Sequence, residues 1–272
     1  MQIRLAGILA RRMNIRVSRI TSRWHGQPVS GNTLELLSDA DRRIAAAVEP
    51  YTCTGLPRVA ALIRAVRYLV RSRVAGAFVE CGVWRGGSMM TIALTLLDEQ
   101  AADRDLYLFD TFAGMTPPAD RDIRDDGAAA QVILDTTPRR ENQNNIWCFA
   151  TEAEVRRNLA RTGYPSDRIH FVKGRVEDTL PYTPELDIAL LRLDTDWYES
   201  TKHELTHLYP RLSSGGVLIV DDYGDWQGAR EAADEYLQDH PEFPILLFPI
   251  DHTGRIAIKV PANEGGRMSR QR

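Results

Sequence analysis

Five short apolar runs recur along the chain, each closing on glycine or an acid, with helical stretches between them. They are Ala77-Phe78-Val79-Glu80-Cys81-Gly82, Leu106–Asp110, Ile169–Gly174, Ile188–Asp194 and Gly216–Asp222. Near-continuous Val, Ile and Leu is the pattern of strands buried on both faces, as in a parallel sheet. Alternation with helices gives that sheet its covering layers. The predicted class is therefore α/β, with a mostly parallel Rossmann-like sheet. Helices are expected at about Thr33–Ala47, Arg58–Arg71, Gly86 to Leu97, Glu152–Arg161, Tyr198–Tyr209 and Gly228–Gln238. In the second of these, Val59, Leu62, Ile63, Val66, Leu69 and Val70 recur near the helical period. Two late runs, Ile245–Pro249 and Arg255–Val260, are joined by Asp251-His252-Thr253-Gly254, which predicts an antiparallel hairpin at one sheet edge.

The 272 residues, 43% apolar and 26% charged, suit one large globular domain with an extension. The expected division is 1–72, an arm with helices, and 73–272, the sheet domain. The net charge of −3 gives no support to a nucleic-acid or membrane role. No apolar run approaches the roughly 18–20 residues that span a bilayer. Cys53, Cys81 and Cys148 are widely spaced, so neither a zinc ribbon nor a disulfide framework is indicated, and a cytoplasmic setting is expected. Cys81, inside a strand, reads as a packing thiol. Met1 to Gln27 carries six arginines and no acid. It is read as an amphipathic arm on a partner subunit, with Leu5, Ile8, Leu9 and Met13 at helical spacing, in preference to a transit peptide. The stretch from about Phe112 to Ala150 is long for a loop and is expected to form a lid that orders over ligands.

In an open α/β sheet, ligands bind beyond the carboxyl ends of the strands. Those ends here carry Glu80, Asp110, Asp194 and the pair Asp221-Asp222. A single aspartate there commonly caps the next helix. Three converging ones repel unless a cation joins them, and an all-oxygen set selects a hard ion such as Mg²⁺. The first turn, Glu80 to Ser88, has Gly82, Gly86 and Gly87 but not the G-x-G-x-x-G of dinucleotide sites. An acid ending the second strand suits ribose hydroxyls, as NAD or S-adenosylmethionine would present. Glu80 favours the second, since a carboxylate near that turn can face the methionine ammonium.

With these residues in view, the chain resembles the metal-dependent sugar O-methyltransferases typified by macrocin O-methyltransferase and the novobiocin-pathway enzyme. The resemblance rests on F-V-E-C-G-V-W-R-G-G-S (78–88), L-F-D-T-F-A-G-M (108–115), L-R-L-D-T-D-W-Y-E-S-T (191–201) and G-G-V-L-I-V-D-D-Y (215–223). It covers about Tyr51 to Val260. It implies a class I methyltransferase fold, S-adenosylmethionine, Mg²⁺ and methylation of a sugar hydroxyl on a natural-product glycoside. The metal aspartates fall on Asp194, Asp221 and Asp222, and the cofactor acids on Glu80 and Asp110. Tyr51-Thr52 resembles an element that closes over the cofactor, and family members commonly form dimers or higher oligomers. Gly82, Ser88, Val176 and Glu177 are counted with the cofactor site. Asp194 is read as ligand and base together, with Asp196 the other candidate base. The related catechol methyltransferases carry a lysine three residues after the first aspartate; Trp197 stands there, which favours a carboxylate base. Asp196, Trp197 and Tyr223 are expected beside the substrate, the aromatics either as core or as walls that stack on it.

Other readings compete. A catechol-like acceptor is one. An NAD-dependent oxidoreductase is another, disfavoured by the glycine spacing. A sugar- or nucleoside-binding protein without catalysis would not need three clustered aspartates. His203-Glu204-Leu205-Thr206-His207 matches the zinc-protease H-E-x-x-H, but Pro210 stands where the extended motif needs glycine.

Overall fold

Strands buried on both faces need helices above and below, and the observed sheet has both. A computed structural model describes residues 23–25, 27–28, 37–182, 184–242 and 245–260. The sheet strands are β1 Ala77–Cys81, β2 Leu106–Asp110, β3 Ile169–Lys173, β4 Ile188–Leu193, β5 Leu212–Val220, β6 Phe248–Pro249 and β7 Arg255–Ile258. Their spatial order is β3-β2-β1-β4-β5-β7-β6. The first five are parallel, while β7 pairs antiparallel with β5 and with β6. The chain winds outward from β1 to β3, then returns to lay β4 on the other side of β1. That reversal opens a crevice at the carboxyl ends of β1 and β4.

The helices are α1 Asp39–Val48, α2 Leu56–Arg71, α3 Gly87–Asp98, α4 Ala130–Thr136, α5 Glu152–Ala160, α6 Val176–Thr179, α7 Tyr198–Leu208 and α8 Gln227–Asp239. Strand residues alternate between two apolar layers. Phe78, Leu106, Leu108, Leu190, Val217 and Ile219 pack with α1, α2 and α3. Val79, Cys81, Phe109, Leu191, Leu193, Leu218 and Val220 pack with α7 and α8. Cys81 is fully buried there, as a packing thiol. On α2, Val59, Leu62, Ile63, Val66 and Leu69 are buried, each contributing roughly 1.5–3 kcal/mol.

Some boundaries differ from those expected. α1 starts at Asp39 because Ser38 caps it in a reciprocal box with Asp41; residues 31–36, where an earlier start was expected, lie outside the described residues. Of the expected arm, Met1 to Gln27, residues 1–22 and 26 also lie outside them, and Arg23–Trp24 pairs antiparallel with Gln27–Pro28. β6 is only two residues long, and Leu246 before it is 67% exposed. The stretch after β2 carries a helix of its own, α4. Among the described residues, no helix is long and apolar enough to cross a membrane.

Candidate active site

The crevice is a cavity of about 410 Å³. Its walls include Gly82 and Trp84 after β1, Asp110 and Thr111 after β2, and Gly174 to Glu177 after β3. Asp194 to Asp196 after β4 and Asp221 and Asp222 after β5 complete the strand-end set. The 112–150 segment adds Met115, Thr116, Asn144, Asn145, Ile146 and Cys148.

Backbone geometry explains the first turn. Gly82 has φ +79°, and a Cβ there would lie 1.9 Å from the Asp194 carbonyl oxygen. Glycine thus lets the β1 and β4 ends close on each other. Asp110 then ties two turns together. Its Oδ2 accepts from the N–H groups of Val83 (2.6 Å) and Trp84 (3.1 Å), and its Oδ1 from Phe112 N–H (2.6 Å). Burial pushes this carboxyl up, against the pull of those donors. A carboxylate has about four lone-pair sites, so Asp110 keeps capacity for a ribose hydroxyl from the cavity side.

The metal candidates come together. One carboxylate oxygen each of Asp194, Asp221 and Asp222 lies within 4.8 Å of the others, and among the described residues this is the one such cluster. Burial first, and then neighbouring carboxylates, push Asp194, Asp196 and Asp222 well above the usual range. Asp221 is held below it, because Arg192 and Arg58 outweigh its burial. Of the five acids gathered here, Arg192 and Arg58 reach Glu80, Asp194 and Asp221, while Asp196 and Asp222 have no guanidinium partner among the described residues. That surplus of buried negative charge fits a hard divalent cation.

The arginines were not anticipated as site residues. Arg192 is 2% exposed. Its Nη1 lies 2.5 Å from Glu80 Oε1 and 2.5 Å from Asp194 Oδ2, and its Nη2 lies 2.7 Å from Asp221 Oδ1. Arg58, from α2, donates to Asp221 and pairs with Asp251 at 3.1 Å. The available signal was a charge inside an otherwise apolar strand, Leu190-Leu191-Arg192-Leu193.

Of the other expected residues, Val176 and Glu177 line the cavity. Asp196 does too, with φ +67°; its N–H donates to Asp222 Oδ2 at 3.3 Å. Trp84 and Cys148 also line it with positive φ, so backbone strain gathers at the cleft. Glu80 faces Arg192 and Ser88, away from the cavity wall. Tyr51 and Thr52 abut Gly87 at the start of α3, where a Cβ would meet Thr52 Cβ at 2.5 Å. Trp197 is buried, packs edge-on to Trp226 and donates from its indole to Thr116 O at 2.9 Å. Tyr223 donates to Asp234 at 2.8 Å. Cys53 and Cys148, far apart in sequence, both line the cavity wall, where the Cys148 thiol donates to Asn145 O at 3.4 Å.

The H-E-x-x-H residues do lie on a helix, α7, with the two imidazole centroids 4.4 Å apart. Glu204 is fully buried and accepts from the Thr195 hydroxyl at 3.0 Å. No third ligand joins the histidines among the described residues.

Residues 17–256 match the family described as Macrocin-O-methyltransferase (TylF). Demethyldecarbamoylnovobiocin O-methyltransferase of Streptomyces niveus is 35% identical over 206 residues, 75% of this chain and 74% of that protein. The 8-demethyl-8-(2,3-dimethoxy-alpha-L-rhamnosyl)-tetracenomycin-C 4'-O-methyltransferase of Streptomyces olivaceus is 35% identical over 201 residues, 73% of each chain. The solved structure of the O-methyltransferase NovP superposes with a TM-score of 0.67 at 28% identity, covering 94% of this chain and all of NovP. Crevice, strand-end acids and relatives agree: the chain belongs to the macrocin O-methyltransferase family and is an S-adenosylmethionine-dependent O-methyltransferase.

Proposed function

We propose that the enzyme methylates a sugar hydroxyl of a natural-product glycoside, and that Asp194, Asp221 and Asp222 hold Mg²⁺ for it. The observation that carries this reading is the three-aspartate cluster opening on the same cavity as Asp110. The names of the relatives point to the acceptor class, above all the rhamnosyl-bearing tetracenomycin.

S-adenosylmethionine supplies the methyl group as a sulfonium electrophile. Bound at the aspartates, Mg²⁺ supplies Lewis-acid polarisation of a sugar hydroxyl, a weak nucleophile at neutral pH. The chain's own residues do the rest. Asp110 offers its one remaining lone-pair site to a ribose hydroxyl, with Gly82, Val176 and Glu177 shaping the walls around it. Arg58 and Arg192 keep Asp221 ionised in a buried setting. Proton acceptance we assign to Asp196. Asp194, the first choice from sequence, already serves Arg192, and a carboxylate shared by a guanidinium and a cation is a weak base. Asp196 lines the cavity and has no arginine or lysine partner among the described residues. Asn144, Asn145 and Thr116, across the cavity, present amide and hydroxyl groups that suit sugar hydroxyls.

The test is transfer of a labelled methyl group to a panel of deoxysugar glycosides. Product should form on a sugar oxygen, disappear after EDTA treatment and desalting, and return with added Mg²⁺. Undiminished turnover after chelation would sink the metal assignment. Transfer to catechols but to no sugar would sink the acceptor class.

A further inference from the structure

Glu80 stands where an acid could face a bound cofactor, yet its carboxylate points elsewhere. It is 1% exposed, and the cavity walls pass it by. In the parallel pairing of β1 with β4, Glu80 lies directly opposite Arg192. The two-residue strand period puts Asp194 on the same face as Arg192, beyond it toward the strand end. One nitrogen, Arg192 Nη1, lies 2.5 Å from both Glu80 Oε1 and Asp194 Oδ2. The other, Nη2, lies 2.7 Å from Asp221 Oδ1 and donates to Thr54 Oγ1 at 3.3 Å.

We propose that Glu80 is a positioning residue for the metal carboxylates: it anchors Arg192 and so keeps that guanidinium from neutralising Asp194 and Asp221. The proposal rests on the reading that those aspartates hold Mg²⁺. Arg192 and a divalent cation compete for the same two carboxylates, Asp194 and Asp221. With Glu80 in place, the guanidinium is shared among three carboxylates, and Asp194 and Asp221 retain negative charge. Without it, Arg192 faces only Asp194 and Asp221, and Arg58, shared with Asp251, also bears on Asp221. Of the three metal aspartates, Asp222 alone would then be free of a guanidinium partner among the described residues. The same tether fixes direction. A planar guanidinium held at one edge by Glu80 cannot swing further over the aspartates.

The experiment uses the full-length enzyme and two independent ligands. Mn²⁺ binding is read by the spin-resonance signal of the free ion. S-adenosylmethionine binding is read by calorimetry in metal-free buffer. Glu80→Gln should weaken Mn²⁺ at least about tenfold, as loss of one nearby charge in a low-dielectric site implies. Cofactor affinity should stay within about threefold. The double variant Glu80→Gln/Arg192→Gln removes the competitor together with its anchor. Its Mn²⁺ affinity should recover above that of the single variant. Cofactor affinity lost in Glu80→Gln, with or without Mn²⁺ affinity, would show that Glu80 serves the cofactor and overturn the proposal. So would an unchanged Mn²⁺ affinity, or a double variant no tighter than the single one. A wild-type enzyme that binds no Mn²⁺ would remove the metal reading itself and this proposal with it. Wild-type binding with any of the other adverse results overturns the proposal alone.

Discussion

A carboxylate that must take up a proton is poorly served by a guanidinium at hydrogen-bond distance, and this separates Asp196 from Asp194. Arg192 Nη1 lies 2.5 Å from Asp194, whereas Asp196 has no arginine or lysine partner among the described residues and its N–H donates to Asp222. General-base catalysis contributes about 10²–10⁴ in rate. Asp196→Asn should therefore lower kcat by that order while Mn²⁺ still binds. Asp194→Asn should lose Mn²⁺ affinity and activity together. Measuring both quantities for both variants decides between them, and an active Asp196→Asn enzyme would return the base to Asp194. The strand-end acids were readable from sequence because each closes an apolar run, and α/β architecture places run ends at the ligand crevice. The roles within the set were not readable. They depend on which acid lies opposite Arg192, and that is fixed by the register of β1 on β4, which no local pattern encodes. The same holds for Cys53 and Cys148, brought together only by tertiary folding.

At the scale of elements, three helices are stapled on one side of the sheet by Arg67. From α2 it reaches Asp41 on α1 at 2.7 Å, Asp98 at the end of α3 at 2.7 Å, and Glu99 just beyond. Arg67 is 15% exposed on its side chain, so these contacts are partly shielded from water. Arg67→Met should destabilise the fold by about 2 kcal/mol, since charged hydrogen bonds contribute about 1.5–3 kcal/mol. The pH dependence has a definite sign. Asp41 is held below its usual range, its burial outweighed by Ser38 and Arg67. Glu99 is held below it by Arg71 and Arg67, against its burial. Depressed folded values mean that the staple's contribution is present at neutral pH and fades as pH falls through them. Thermal melts should show the gap between wild type and Arg67→Met narrowing below about pH 4, near the ordinary carboxylate values. A gap that stays constant down to pH 3 would refute the electrostatic account. Helix α2 was legible because its apolar residues keep a 3.6 period. Helix α4 was missed because seven residues, with only Ala130 and Leu134 buried, give too short a period to register.

Across the whole molecule, the 112–150 segment is built in two halves with different ties to the sheet. The first half is bonded down. Asp122 is 1% exposed and accepts from the N–H of Tyr198 (2.8 Å), an otherwise orphaned donor at the start of α7. Asp125 N–H donates to Asp225 O, and Gln227 N–H to Ile123 O, each at 2.8 Å. Ala130 and Leu134 then pack against Trp197 and Trp226. The second half bonds largely to itself and its neighbours in sequence: Trp147 Nε1 to Thr137 O at 2.7 Å, and Asn142 N–H to Phe149 O at 2.7 Å. It is this half that sends Asn144, Asn145, Ile146 and Cys148 to the cavity. Local opening takes least free energy where buried contacts are few. A lid of one piece was expected from the length of the stretch, its Pro117-Pro118 pair and its polar run Arg139–Asn145, and the buried anchors argue for a hinge within it. Amide exchange in the ligand-free enzyme should be slow over 122–134 and fast over 138–146. Cofactor plus acceptor should slow the second stretch selectively. Asp122→Ala removes the acceptor at α7 and should raise exchange over 119–134, costing about 1–2 kcal/mol, as loss of a helix cap does. Equal protection of both halves without ligand would refute the two-part description. If the description holds, acceptor choice resides in the loosely tied half, and swapping residues 138–148 with those of a relative should change which glycoside is methylated while leaving metal and cofactor affinity in place.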